Sequence, residues 1–372
     1  MRVEFHRHNI EEEDILNVSR VLRSVFLTSG RVGENFEKQF SDYTGLEEVI
    51  SLNSCTAALH LSLLALGIGP GDEVILPPMT FIATATAVLH SGATPVLVDV
   101  EEDTGLIDAD LIEEAITSRT RAIIPVHLYG TMVDMKKIRQ IADRYKLRII
   151  EDCAHCIEGE RDGIRPGQLG DTACFSFYAT KNLTCGEGGA VGTRDSELGK
   201  KIRQLRLHGM SSDAAGRYNK VYRHWDMELL GWKYNLDDIH AALLVNQVDR
   251  LDDYWNYRDK IYKRYKAEFE NLGGINVPIV KGKSAYHLFT IWVDENQRDN
   301  VLNRLQISDV GVAVNYRSIH TLSYFRKTFG YKPEDYPLSA SIGGRTLSLP
   351  FYPGMTSLQI DYVIESVKKA VR

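Results

Sequence analysis

A chain of 372 residues has room for one large domain plus a smaller one, with an ample core. Its 44% hydrophobic and 25% charged content is that of a soluble globular protein, and a net charge of −6 argues against nucleic acid or an anionic membrane as partner. No run approaches the ~18 apolar residues of a membrane span, and the first residues lack the apolar segment of a signal peptide.

In chain order, a helix is expected from about Glu11 to Arg23, broken at Thr28-Ser29-Gly30. Strands follow at Val49–Leu52, Val74–Leu76, Pro95–Val100, Ala122–Val126 and Leu147–Ile150. Between them lie helical stretches near Thr56–Leu66, Phe81–His90, Ala109–Ile116 and Met135–Tyr145. Buried strands crossed over by helices predict a mainly parallel α/β sheet covered on both faces. Ala173–Tyr178 alternates as a further strand, and a helix is expected over Asp195–Leu207. A polar, loop-prone stretch occupies 209–223. A long helical pattern from Leu236 to Phe269 carries a domain boundary near Asp249–Tyr257, giving a large domain over 1–250 and a small α+β domain over 251–372. The small domain has expected strands at His287–Val293 and Val310–Asn315, and helices at Arg298–Leu305 and Ser357–Val371.

The residues that carry chemistry cluster around Lys181. It follows the strand at Ala173–Tyr178 and precedes Gly186, Gly188 and Gly189. A lysine held there out of bulk water has a lowered pKa and can bond covalently to an aldehyde. Asn53-Ser54-Cys55-Thr56 ends one strand and opens a helix, where free N–H groups and the Thr56 hydroxyl can seat a phosphate; an ordinary helix cap is the plainer reading. Ser176 offers a second hydroxyl.

Glu151-Asp152 closes another strand with side chains on opposite faces, so only one can serve the site. A carboxylate there can hold a pyridinium nitrogen protonated, or simply cap a helix. His155 reads as a core histidine or a ring neighbour, and Phe81 as a stacking partner or plain core. Gly67 to Asp72 follows a helix and precedes a strand, the reverse of a dinucleotide fingerprint, so it is a turn. Five cysteines, an odd count, point to reduced thiols in the cytosol. Cys153-x-x-Cys156 has no second pair at metal spacing, so no metal is expected.

Together, Asn-Ser-Cys-Thr-Ala-Ala-Leu (53–59), Pro-Met-Thr-Phe (78–81), Glu-Asp-Cys-Ala-His (151–155), Ser-Phe-x-x-x-Lys (176–181) with Gly-Glu-Gly-Gly (186–189), and Gly-Trp-Lys-Tyr-Asn-Leu-Asp-Asp-Ile (231–239) resemble the DegT/StrS sugar aminotransferases. These are fold-type I transferases that use pyridoxal 5'-phosphate, cycling through pyridoxamine 5'-phosphate. The resemblance implies that Lys181 carries the cofactor and moves the proton. It implies that Asp152 pairs with the ring nitrogen, Phe81 stacks on the ring and His155 lies beside it. Cys55, Thr56 and Ser176 would hold the phosphate.

Lys233 stands where many relatives have an Asn that reaches across a homodimer interface, and Asn235 where others have Arg. Leu-His-Gly-Met (207–210), His-Thr-Leu-Ser-Tyr-Phe (320–325) and Leu-Pro-Phe-Tyr-Pro-Gly-Met-Thr (349–356) are similar to the subgroup that aminates C4 of UDP-linked 4-keto sugars, with L-glutamate as donor. Phe81 and Asn315-Tyr316 depart from that subgroup's pattern. The resemblance implies that His320 faces the sugar. Thr28, Ser29 and Arg31, with the basic segment around Arg206–His208, are expected near the diphosphate. Two rivals remain: a sugar dehydratase, disfavoured by Lys181, and a ligand-sensing member of the same fold, disfavoured by the retained Lys181, Asp152 and Thr56.

Overall fold

The structure, a computed structural model, describes residues 1–211 and 224–372, so most of the expected loop at 209–223 lies outside the described residues. Seven strands form the large sheet: β1 (Glu48–Leu52), β2 (Glu73–Leu76), β3 (Thr94–Leu97), β4 (Thr120–Ile123), β5 (Arg148–Asp152), β6 (Thr172–Ser176) and β7 (Gly189–Thr193). Their order is β1-β7-β6-β5-β4-β2-β3. Pairing is parallel from β6 through β5, β4 and β2 to β3, and β7 alone runs antiparallel, to both β1 and β6. The described helices are α1 (Glu12–Leu22), α2 (Arg31–Thr44), α3 (Cys55–Ala65), α4 (Ile82–His90), α5 (Met135–Tyr145), α6 (Ser196–Leu205), α7 (Asp238–Asp249), α8 (Leu251–Phe269), α9 (Arg298–Ile307), α10 (Ser323–Phe329), α11 (Pro337–Arg345) and α12 (Ser357–Ala370).

Burial explains the layers. Helix α3 is apolar almost all round, and Ala58, Leu61 and Leu63 pack with Leu76 and Ile150 on one face of the sheet. On the other face, Ile138 and Ala142 of α5 pack with Ile75, Ile123 and Ile149. Each such aliphatic side chain contributes about 1.5–3 kcal/mol on burial, so packing rather than helix propensity fixes these elements. A second sheet, ordered β10-β9-β8, is antiparallel: β8 (Ile275–Asn276), β9 (Phe289–Val293) and β10 (Thr346–Leu349). It shares a core with α8, α9 and α12 through Tyr265, Phe269, Leu305 and Val363.

Several expectations change. The single helix Leu236–Phe269 is two: Arg250 ends α7 and turns its guanidinium to Asp14 (2.6 Å) and Glu11 (3.0 Å) beside α1. The stretch Ala109–Ile116 folds only as a short 3₁₀ turn over Glu113–Ala115. The stretch Val310–Asn315 makes isolated bridges, Val310 to Val3 and Ala313 to Ser348, rather than a strand. Helix α2 and strand β7 were not anticipated. β7 is glycine-rich because its neighbours leave no room: a Cβ on Gly192 would lie 2.3 Å from Leu46 Cδ1.

Candidate active site

Because β1, β2, β5 and β6 are parallel, their carboxyl ends open on one edge of the sheet, where α/β proteins bind ligands. Asn53 follows β1, Phe81 lies just past β2, Asp152 ends β5 and Ser176 ends β6. The chain from Phe177 to Gly188 turns over this edge and returns as β7. That turn is pinned by Phe177 N–H to Gly188 O (2.9 Å), Cys185 N–H to Phe177 O (3.0 Å) and Lys181 N–H to Tyr178 O (2.9 Å). β7 then passes so close to the start of α3 that a Cβ on Gly189 would lie 2.5 Å from Cys55 N. Only glycine permits that approach.

The strand alternation divides the two acids as anticipated. Glu151 turns away from α3 and accepts from Gly170 N–H (2.7 Å), Gly167 N–H (3.0 Å) and His127 Nε2 (2.9 Å). His127 Nδ1 accepts from Val133 N–H, which puts the ring proton on Nε2. Glu151, His127 and Cys153 come within 4.8 Å of one another at their polar atoms, but the first two are already committed to these partners. Asp152 faces the site, buried, accepting from Thr84 Oγ1 (2.8 Å) and Ala154 N–H (3.1 Å). Thr80 Oγ1 lies 2.7 Å from Thr84 Oγ1, completing a hydroxyl chain that orients the carboxylate. Burial raises the Asp152 pKa; Thr84, the Ala154 amide and Lys181 act against that rise.

Lys181 and Asp152 are near enough for each to shift the other electrostatically. Burial brings the Lys181 amine down to about 8, with Cys55 and Asp152 resisting the fall. This is the environment that makes a lysine amine nucleophilic near neutral pH.

His155 is buried, and burial followed by the Lys181 charge lowers its pKa well below the ordinary histidine value. Its Nδ1 accepts from Tyr129 N–H (3.2 Å), so the neutral ring carries its proton on Nε2, 3.0 Å from the Tyr316 hydroxyl. Phe81 is 52% exposed, which rules out plain core, and its ring lies 5.5 Å from that of Tyr316. Tyr316 in turn stacks on His155 at 5.8 Å. Phe81, Tyr316 and His155 thus form a row of aromatic rings.

At the start of α3, Ser54 rather than Thr56 is the cap, its Oγ accepting from Ala57 N–H (3.1 Å). The Cys55 and Thr56 amides have no helical acceptor, as in any first turn. Thr56 borders a cleft of about 300 Å³ together with Asn53, Glu187 and Tyr234. Ser176 is buried at the end of β6, next to that helix start.

The residues expected near the diphosphate divide. Ser29 Oγ donates to Leu236 O (3.1 Å) and accepts from Asn235 Nδ2 (2.7 Å), while Asn235 Oδ1 takes Lys233 Nζ (2.5 Å). Thr28, Ser29, Lys233 and Asn235 thus form one cluster near the end of β1, with Thr28, Arg31 and Lys233 exposed. Arg206 is a correction: it pairs with buried Glu37 (2.6 Å) and donates to Ser51 O (2.9 Å), so it is structural. His320 is another. It is fully buried, with Ser318 Oγ at 2.7 Å from Nδ1 and Pro333 O at 3.3 Å from Nε2, so neither nitrogen is free for a sugar.

Thr84, Tyr129, Asn182 and His287 were missed in the sequence. Thr84 sits in the first turn of α4, Tyr129 in a 3₁₀ turn over Leu128–Gly130, Asn182 in the loop after β6 and His287 just before β9, where no periodicity signals a role.

The sequence profile of the DegT/DnrJ/EryC1/StrS aminotransferase family matches residues 8–368. The spore coat polysaccharide biosynthesis protein SpsC of Bacillus subtilis (strain 168) is 42% identical, over 98% of this chain and 95% of its own. Among solved structures, Spr1654 of Streptococcus pneumoniae, described as a candidate sugar aminotransferase and solved in its PMP form, superposes with a TM-score of 0.94. It is 31% identical over 100% of this chain and 99% of its own. DesV of S. venezuelae superposes with a TM-score of 0.89, at 36% identity over 97% of this chain and 94% of its own. The buried acid, the low-pKa lysine and the open helix start suit the ring nitrogen, aldehyde and phosphate of pyridoxal phosphate in turn. With a profile match over nearly its whole length, this chain belongs to the DegT/DnrJ/EryC1/StrS aminotransferase family and is a pyridoxal-phosphate-dependent sugar aminotransferase.

Proposed function

We propose that the protein moves the amino group of L-glutamate to C4 of a UDP-linked 4-keto sugar, as a cytoplasmic homodimer with shared active sites, for a cell-surface polysaccharide. The observation that carries its transamination chemistry is a buried low-pKa amine, Lys181, close enough to the buried acid Asp152 for each to shift the other; the C4, UDP and glutamate assignments draw on the resemblance of residues 207–210, 320–325 and 349–356. The polysaccharide assignment draws support from the likeness to SpsC. Lys181, Asp152 and His155 are the proposed catalytic residues. Cys55, Thr56, Phe81, Ser176 and Lys233 complete the cofactor site. Thr28, Ser29 and Arg31 bind substrate.

Pyridoxal phosphate, when bound, supplies an electron sink that stabilises negative charge at the carbon losing its proton. Asp152, oriented by Thr84 and the Ala154 amide, holds a proton on the ring nitrogen and keeps that sink effective. Lys181 would act as base and then as acid in each half-reaction: with L-glutamate it would take the α-carbon proton and hand one to the cofactor's aldehyde carbon, and with the keto sugar it would move a proton from that carbon to the sugar carbon. The Cys55 and Thr56 amides, at the positive end of α3, hold the phosphate. His155, its Nε2 bonded to Tyr316, would lie beside the ring, and Phe81 would cover the ring's face and exclude water.

The test is a panel of UDP-, dTDP- and GDP-linked keto sugars offered to the loaded protein with L-glutamate, with products identified by NMR. The proposal expects an amine at C4 of the UDP-linked sugar. Amination at another carbon, or of another nucleotide's sugar alone, contradicts it.

A further inference from the structure

His287, which the proposed cycle leaves unused, touches His155 and the residue after Lys181. It lies between β8 and β9, two residues before β9, and it is buried. Its ring centroid lies 4.4 Å from that of His155, tilted by 40°. Its Nδ1 lies 3.2 Å from Oδ1 of Asn182, the residue after Lys181. The amide of Asn182 has one possible orientation, because Nδ2 faces only acceptors: Ala285 O (2.9 Å) and the Glu158 carboxylate (3.1 Å to Oε2). Oδ1 therefore points to His287 and requires a proton on its Nδ1. Glu158 is itself clamped by Arg258 at 2.5 Å, with both side chains buried, so the Asn182 amide cannot easily turn.

The consequence is a chain of fixed geometry: Arg258 to Glu158, to Asn182, to His287, to the face of His155. The two edges of His155 are set by Tyr129 N–H and Tyr316, and rocking about the axis of those bonds is opposed by the Tyr316 ring at 5.8 Å. The His287 ring, closer at 4.4 Å and tilted by 40°, restricts that motion further. Burial lowers both histidines well below the ordinary value, so two neutral rings pack here, tilted by 40°, without charge repulsion.

We propose that His287 is a positioning residue of the transamination site. Held in its Nδ1–H tautomer by Asn182, it fixes the ring plane of His155 relative to Lys181. The inference rests on the transaminase reading for its effect on rate, but its geometry is testable without it.

The experiment labels the histidines with ¹⁵N and reads ring protonation by NMR in the intact protein, first without cofactor and then with added pyridoxal phosphate. The expected result is His287 protonated on Nδ1 and His155 on Nε2, both staying neutral through pH 6. Protonation of His287 on Nε2 in the intact protein overturns the proposal, whatever happens to activity. Two variants then separate positioning from bulk packing. His287→Phe keeps a ring and loses the bond to Asn182; His287→Asn keeps a donor and loses the stacked ring.

Each is expected to lower kcat by about tenfold to a hundredfold, as small misplacements of reacting groups do, with KM for L-glutamate within about twofold. Each should also blur the single His155 tautomer and leave capture of pyridoxal phosphate by Lys181 intact. Folded variants with wild-type kcat and an unchanged His155 signal overturn the proposal. Should both variants fail to fold, the tautomers in the unaltered protein still decide it. Should the protein bind no pyridoxal phosphate, the transaminase reading fails while the tautomer test stands.

Discussion

At the scale of single residues, the account turns on how burial and charge divide the work between Lys181 and Asp152. An amine near 8 is largely free at mildly alkaline pH, whereas an ordinary lysine titrates near ~10.4. The rate at which the apoprotein captures pyridoxal phosphate, followed by visible absorbance, should therefore rise with pH to a midpoint near 8. A midpoint above 10 would show that the lysine is not desolvated. Asp152→Asn keeps the shape and the bond from the Ala154 amide, with its NH2 turned to a Thr84 hydroxyl that must then accept, but it cannot hold a proton on the ring nitrogen as an acid does. It is expected to retain bound cofactor and lose on the order of 10²–10⁴ in kcat, the range typical of positioned proton-transfer groups. Equal losses in cofactor affinity and no loss in kcat would assign Asp152 a binding role only.

Among the elements, three are joined by one buried carboxylate. Glu37 of α2 accepts from Ser51 N–H (2.9 Å) at β1 and pairs with Arg206 and Arg203 at α6. Burial alone would raise its pKa, yet Arg206 and Arg203 outweigh burial and hold it at about 2. A depressed carboxyl stabilises the fold fully above the unfolded value of ~4.3, and that contribution is lost as pH falls through about 2. Glu37→Gln leaves half-buried Arg206 without its carboxylate and Arg203 with Glu48 alone, and is expected to cost about 1–3 kcal/mol at pH 7 in urea unfolding. The cost should shrink at pH 2. A loss that is the same at both pH values would contradict the ion-pair account.

Legibility followed the same physics. The aliphatic runs of β2, β4 and β5 and the all-apolar α3 were readable because burial on both faces leaves an unbroken hydrophobic signature. Helix α2 hid behind Glu37 and the polar residues around it, whose partners come from elements far along the chain. β7 hid because Gly189 and Gly192 are chosen for close approach rather than for strand propensity. In the proposed site, Asp152 ends β5 and Lys181 and His155 follow strand ends by a few residues, so their positions were legible. His287 and Asn182 matter only through one another, which no local pattern reveals. Arg206 and His320 misled because a charged or ring nitrogen looks free until its partner is seen.

For the whole molecule, exposed apolar side chains stand out at Leu22, Val25 and Leu27 near the start, at Phe81 and Ile82 by the site, and at Met227 and Leu230. A homodimer that buries such surface should sediment at twice the 42.0 kDa chain mass at micromolar concentration. Sedimentation as a monomer, with full activity, would remove the shared-site proposal. The central claim concerns the lysine, and one half-reaction tests it. Protein loaded with pyridoxal phosphate is mixed with L-glutamate alone, and 2-oxoglutarate is counted per chain. The account predicts one 2-oxoglutarate per loaded site in the wild type, with loss of the visible absorbance, and none for a folded Lys181→Ala variant. Wild-type yield and rate from Lys181→Ala would contradict it.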